Sequence, residues 1–331
     1  MVDSFSGSFE EIAGFQPLYK GYREARKGKR YSGEVLSFSK DLDKNLHELS
    51  NSLFAGSYRS KGFKKFKLFD PKEREISAPY FRDRIVHRSL HRSLEPFFDR
   101  KFIEDSFACR KGKGTHAGVD KAQEFMRKQD ADYFLKCDVK GYFDSVDHSI
   151  LLDMLKRQIR DEKIIELIQA ILSVSGSKGI PIGTLYSQLF ANIYLNRFDN
   201  FVKQGLQEDY YVRYMDDFVF FSDSKQRLHE LREACKGYLA DELDLEIPYS
   251  KTTLEPVNKG LTFLGYRIFP QHRKLRKRNK KKFRQRLENQ KRALEKGEID
   301  FSELKDSIDS WRGHANHADT ENLREEVIGV L

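Results

Sequence analysis

Cysteine is scarce in this chain, and the three present, Cys109, Cys137 and Cys235, are widely spaced. An odd number with no CxxC pair argues against both a disulfide framework and a zinc knuckle. No apolar run approaches the ~20 residues that a membrane-spanning helix requires. The opening MVDSFSGSFEE lacks a basic stretch followed by an apolar one, so no secretory signal is read there. The expectation is a cytoplasmic protein with no membrane partner. Internal repeats and low-complexity tracts are also missing. What remains is an ordinary soluble balance, 34% charged against 39% hydrophobic residues over 331 positions. That is enough chain to bury a sizeable core and to form two or three lobes.

The formal net charge of +9 is concentrated, with ten Lys or Arg and no acid in residues 273–286 (RKLRKRNKKKFRQR). Without them the chain keeps 50 basic against 51 acidic residues, so this segment accounts for the excess. Interleaved Leu275 and Phe283 suggest an anchored element. Its Arg273, Lys274, Arg276, Lys277, Arg278, Lys280, Lys281 and Lys282 are candidates for contact with nucleic acid, where counterion release gives a steep salt dependence.

Residues 8–50 read as helical and amphipathic, with Leu36, Leu42, Leu46 and Leu49 at roughly helical spacing. An alternating basic stretch over 62–76 with a turn at Asp70-Pro71 suggests a β-hairpin. Pro79 suits the first turn of a helix running to about Phe98. Residues 133–139 (YFLKCDV) form a strand pattern, Asp147 suits an N-cap, and a long helix is expected over 187–203. Strands interleaved irregularly with helices point to an α+β fold.

Tyr214-Met215-Asp216-Asp217 lies between two runs rich in β-branched and aromatic residues, at the tip of a predicted hairpin. Two adjacent carboxylates there are no core feature and point to a divalent metal. Phosphoryl transfer through two ions about 4 Å apart needs several converging carboxylates. Neighbours at a turn diverge, so a third must come from another strand, and Asp138 at the end of YFLKCDV is the candidate. His87 and His91 have the i, i+4 spacing of some zinc sites but lack the accompanying Glu and any nearby cysteine.

Eight ordered blocks between residues 74 and 323 resemble reverse transcriptases, and specifically those of diversity-generating retroelements: ISAPYFRDRIVHRSL, SFACRKGKGTHAGV, LKCDVKGYFDSVD, GIPIGTLYSQLFANIYL, YVRYMDDFVFF, the SKT at 250–252, LTFLGYRI and WRGHANHADTENL. The resemblance implies a right-hand polymerase. The N-terminal region and fingers would occupy 1–132. A ferredoxin-like antiparallel palm would occupy 133–268, with a fingers segment near 158–185, and a small basic helical thumb 269–331. Asp138, Asp216 and Asp217, with the Val139 backbone, would hold two Mg²⁺ ions, Mn²⁺ being an acceptable substitute. Arg74, Arg110 and Lys113 would grip the incoming deoxynucleotide triphosphate, as Arg does bidentately. Phe143 would be the steric gate, Lys251 a proton donor to pyrophosphate, and Phe263-Leu264-Gly265 the primer grip.

Most reverse transcriptases carry Gln-Gly where this chain has Ile182-Gly183, and Ser-Pro where it has Ser187-Gln188. This is the pattern associated with diversity-generating retroelements. Ile182 cannot make the polar contact that a glutamine makes beside the nucleotide. Without one such contact, discrimination drops by about 1–3 kcal/mol, or roughly 10–200-fold. The implied activity is error-prone RNA-directed DNA synthesis on a template-repeat or other structured RNA, through an RNA/cDNA duplex. The implied partner is a pentameric accessory variability protein. About 65 residues follow the FLGY turn, which leaves little room for an RNase H or endonuclease domain. Two other readings stay open: an antiphage enzyme copying a non-coding RNA, and a non-catalytic RNA-binding protein on the same fold.

Overall fold

The computed structural model describes residues 4–69, 73–128 and 130–328. Its contacts group the chain into two units, each built from separated segments. The first comprises Met1–Glu104, Val139–Glu208 and Ala234–Lys251, and the second Asp105–Asp138, Asp209–Glu233 and Thr252–Leu331. Of the palm expected over 133–268 with a fingers segment near 158–185, residues Val139–Glu208 and Ala234–Lys251 fall in the first unit and the remainder in the second. No described helix is long and apolar enough to cross a membrane.

In the first unit, helices Phe15–Ala25 and Leu42–Phe54 bury Leu18, Tyr22, Leu46, Leu49 and Leu53, and the Phe81–Asp99 helix buries Ile85, Leu90, Leu94 and Phe98. The amphipathic stretch read over 8–50 is broken into four helices, and Leu36 stays 54% exposed on the third. Strands β1 (Phe63–Phe69) and β2 (Glu73–Pro79) form the expected antiparallel hairpin; the Asp70-Pro71 turn lies outside the described residues. Pro79 does not open the next helix. It ends β2 opposite Phe63, and the helix begins at Phe81, whose N–H donates to Glu34 Oε2 at 3.2 Å. Asp147 does cap its helix, accepting from Ser149 N at 2.8 Å and Ile150 N at 3.3 Å.

His87 lies buried edge-on to the Tyr186 ring, 4.8 Å between centroids, and neither ring nitrogen has a hydrogen-bond partner. Burial and the nearby Arg84 push its pKa down to about 3, so the imidazole is neutral in the folded state, packed against Tyr186. An unfolded His87 titrates near 6.5, so the unfolded chain binds the extra proton first and stability falls as pH drops from about 6.5 towards 3. Between pH 7 and pH 5 the loss should reach about 2 kcal/mol. Urea unfolding of His87→Leu should lack that part of the slope.

The second unit holds the four-stranded sheet. Its strands β3 (Tyr133–Asp138), β4 (Tyr211–Tyr214), β5 (Asp217–Ser222) and β6 (Thr253–Pro256) run in the order β4-β5-β3-β6, all neighbours antiparallel. This is the strand order of a ferredoxin-like βαββαβ sheet. A second sheet, β7 (Leu261–Phe263), β8 (Tyr266–Ile268) and β9 (Arg273–Leu275), shares its core with the first through Phe134, Val219, Phe221, Phe263 and Tyr266. The basic segment begins as β9 and continues as the Lys277–Glu295 helix, anchored by Phe283 stacked on Trp311 at 4.1 Å. The Tyr266 hydroxyl bonds His314 Nδ1 at 2.9 Å, and the His116 and His317 rings stack at 3.5 Å. The GHANHAD block is thus a packing element.

Candidate active site

Register brings Asp138 directly opposite Asp217 on neighbouring antiparallel strands. Tyr214 pairs with Asp217, so Met215 and Asp216 are the two central residues of a tight hairpin turn. Met215 adopts φ 57°, a left-handed conformation that costs a non-glycine residue about 1–3 kcal/mol. The strain fixes where Asp216 projects. Asp217 Oδ1 is buried without a hydrogen-bond partner, while Lys136 Nζ forms an ion pair with it at 2.8 Å. Lys136 stands two residues before Asp138 on β3, on the same sheet face. Strand alternation turns the intervening Cys137 to the opposite face, where burial pushes its thiol up to about 12.

The turn has a scaffold that sequence reasoning missed. Arg213 is fully buried and donates from Nη1 to the Met215 carbonyl at 3.1 Å and from Nη2 to Ser106 Oγ at 3.0 Å. Its backbone bridges the incoming loop, with Arg213 N to Asp105 O at 2.9 Å and Phe107 N to Arg213 O at 3.0 Å. Arg110 Nη1 donates to the Ser106 carbonyl at 2.9 Å, and Lys113 Nζ lies 5.1 Å from the Phe107 ring centroid. Two expected triphosphate contacts and the aspartate turn are thus tied to one loop. The available signal was an arginine interrupting the apolar run YVRYMDDFVFF.

A polar cavity of about 520 Å³ in the same unit is lined by Lys136, Asp217, Leu264, Gly265, Arg267 and Arg276, among others. Leu264 and Gly265, at φ 46° and 92°, make the two-residue turn between β7 and β8, a pattern that glycine favours at the second position. The Gly265 carbonyl accepts from Arg276 N at 3.1 Å and Asn279 Nδ2 at 3.3 Å. Phe263 is buried in the core, so its part in the expected grip falls to its backbone. Arg273 departs from the sequence reading. Its guanidinium bonds Asp120 at 2.7 Å and Gln123 at 2.6 Å, a clamp within the unit and not an open cation. Lys274, Arg276, Lys277, Arg278, Lys281 and Lys282 are exposed, and Lys280 is partly so.

The remaining predicted residues belong to the first unit. Ile182 is half-buried, and its carbonyl accepts from Ser77 N at 2.8 Å. Gly183 takes φ 109°, and a Cβ there would meet Ile76 Cγ2 at 2.8 Å, so only glycine lets this loop lie on β2. Arg74 shares that face of β2 with Ile76 and is exposed. Ile180 N donates to the Phe143 carbonyl at 2.7 Å, which joins the expected steric gate to the same loop. Thr184 caps the Leu185–Asn200 helix through Ser187 N, and Gln188 is exposed on its first turns. Lys251 Nζ donates to the Val139 carbonyl, the expected backbone metal ligand, at 3.2 Å.

Among the described residues no three His, Cys, Asp or Glu side chains are gathered as a metal-holding group. The three-carboxylate cluster expected from the sequence is therefore not assembled by side chains alone: Lys136 holds Asp217, and Asp216 sits on a turn where neighbours diverge. The donors still fit a hard divalent cation. They are carboxylate oxygens on facing strands, hard oxygen donors of the kind such an ion prefers, and the lysine that pairs with Asp217 is a cation that a bound metal would replace.

A family profile described as reverse transcriptase (RNA-dependent DNA polymerase) matches residues 64–268, from β1 to the end of β8. The chain belongs to the reverse transcriptase family. It is similar to Protein YkfC of Escherichia coli (strain K12), 26% identical over 271 residues, or 67% of this chain and 71% of YkfC. It is also similar to the group II intron-encoded protein LtrA of Lactococcus lactis subsp. cremoris, 23% identical over 330 residues, or 77% of this chain and 54% of LtrA. The chain thus spans about half the length of LtrA. Among solved structures, an apo telomerase from Candida tropicalis truncated from its C-terminal domain superposes with a TM-score of 0.51. That match has 13% identity and covers 65% of this chain and 55% of the telomerase chain. The likeness shows the shared right-hand polymerase fold, as expected from the sequence.

Proposed function

We propose that this reverse transcriptase is the error-prone polymerase of a diversity-generating retroelement, copying a structured RNA from its own locus into cDNA. The observation that carries the finer reading is Ile182. It is apolar and half-buried, and it is fixed by the Ser77 bond and the Gly183–Ile76 contact in a loop also joined to Phe143. In the reaction a primer 3′-hydroxyl attacks the α-phosphate of a deoxynucleoside triphosphate. The new P–O bond forms as the α–β bond breaks, and pyrophosphate leaves with the electron pair. Asp138 and Asp216, with Asp217, would hold the divalent ions, Mg²⁺ or Mn²⁺. When bound, the ions supply Lewis-acid activation of the hydroxyl and neutralise charge on the leaving group. Arg74, Arg110 and Lys113 would bind the triphosphate, and the partly open Phe143 ring would exclude a 2′-hydroxyl. The RNA/cDNA duplex would run along the Lys277–Glu295 helix.

A second reading is supported by the similarity to LtrA, whose name associates it with a group II intron. Sequencing the cDNA made in cells separates the readings. A template repeat with errors at adenines supports the first, an intron or non-coding RNA copied faithfully the second or an antiphage role. In vitro, Ile182→Gln should lower misincorporation roughly 10–200-fold with extension rate retained. An unchanged error spectrum would remove Ile182 from the argument. The pentameric accessory protein belongs to the first reading only, and copurification with this chain is its test.

A further inference from the structure

We propose that the turn after the Phe15–Ala25 helix is an RNA-binding surface, held by the first unit, that grips phosphates with four cations and stacks a base on Tyr31. Outside 273–286 the chain is near neutral as a whole, which conceals a second basic segment. Residues 20–31 (KGYREARKGKRY) contain Lys20, Arg23, Arg26, Lys27, Lys29 and Arg30 against the single acid Glu24.

These side chains contrast with the lysines of β1 in the same unit. Lys64, Lys65 and Lys67 on β1 are each paired, with Glu34, Glu75 and Glu73. Glu24 faces Arg88 and Arg92 of the Phe81–Asp99 helix, away from its own segment's lysines. Arg23, Lys27, Lys29 and Arg30 are exposed and make no ion pair among the described residues. Tyr31 beside them is 91% exposed, more than any other large hydrophobic side chain described.

The turn is also built. Lys29 N donates to Arg26 O and Ser32 N to Lys29 O, both at 3.0 Å. Arg26 is fastened inward, its Nη1 donating to the Tyr22 hydroxyl at 3.0 Å, and Tyr22 bonds Ser39 Oγ at 2.7 Å. Favourable charge at a helix C-terminus accounts for cations within the last turn. It does not account for Lys29 and Arg30 beyond it, or for a tyrosine ring left in water. Closely spaced cations beside an open aromatic face are what a single-stranded nucleic acid requires. Preorganisation by the turn lowers the ordering cost of binding. Choosing RNA among polyanions rests on the proposed RNA-templated activity.

The test uses the full chain, fluorescent oligouridylate, and phosphatidylcholine vesicles with and without phosphatidylserine. In Lys27→Gln/Lys29→Gln/Arg30→Gln the slope of log affinity against log salt should fall by about 2, at roughly 0.7 for each phosphate no longer neutralised. Tyr31→Ala should weaken oligouridylate binding roughly 5- to 100-fold. Both variants should extend a pre-annealed RNA/DNA primer-template at the wild-type kcat. Unchanged slope and affinity would overturn the proposal, as would losses confined to anionic vesicles or a fall in kcat on the annealed substrate. A chain that binds RNA through this turn but extends no primer would sink the proposed function and leave the surface standing.

Discussion

Primer extension by Asp216→Asn is expected to fall by at least about 10³-fold in kcat/KM, equivalent to about 4 kcal/mol of transition-state stabilisation. The fold should be unharmed. Asn keeps the shape of the side chain, and the strain of the turn lies at Met215, which the substitution does not touch. Asp217→Asn should lose less activity, because Lys136 already occupies its buried oxygen as an ion pair. Mn²⁺ binding followed by electron paramagnetic resonance supplies a readout independent of turnover. It should weaken more for Asp216→Asn than for Asp217→Asn. Equal losses at the two positions would mean that the Lys136 pair does not set Asp217 apart, and an active Asp216→Asn enzyme would remove the turn from catalysis.

Arg213→Met is expected to be the most destabilising single change around the site, at about 3–5 kcal/mol. Methionine fills part of the space but leaves the Met215 carbonyl and Ser106 Oγ without their donors. Against a typical total of about 5–15 kcal/mol this is a large fraction, and urea unfolding would show it directly. Activity should fall as well, measured at a temperature where the variant is still folded. A turn that relaxes from φ 57° at Met215 misplaces Asp216, and an error of about 1 Å at a reacting group costs roughly 100-fold. Arg213→Lys tests the fork geometry. It retains the charge but can serve only one partner well, so it should recover part of the stability and little of the rate. Full activity in folded Arg213→Met would reduce Arg213 to a purely structural residue.

The parts of this molecule legible in its sequence are those whose signals are local or have fixed spacing. The hairpin that presents Asp216, the strand that ends at Asp138 and the Asp147 cap all depend on a few consecutive residues, and all appear where expected. What was hidden depends on partners distant in sequence. The burial of Arg213 is decided by Ser106 and the loop around it, and nothing beside Arg213 in the chain announces them. Lys136 reads as an ordinary alternating strand residue until register sets it diagonal to Asp217. Pro79 looked like a helix start because proline suits both a first helical turn and the end of a strand, and only pairing with Phe63 decides. Arg273 reads as nucleic-acid charge because its partners Asp120 and Gln123 are distant in sequence. Net charge over the whole chain likewise concealed the basic turn at 26–31, since averaging cancels local patches.

The strand order β4-β5-β3-β6 also governs when this enzyme can first exist during its synthesis. β3 lies between β5 and β6, so a nascent chain that has released Asp138 carries a strand with both edges unpaired until Ser222 and then Pro256 have emerged. Such edges invite pairing with other chains. Sheets closed by contacts so distant in sequence also fold slowly. Ribosome-bound chains ending before Thr253 should therefore depend on chaperones, and the facing carboxylates should come together only late in translation.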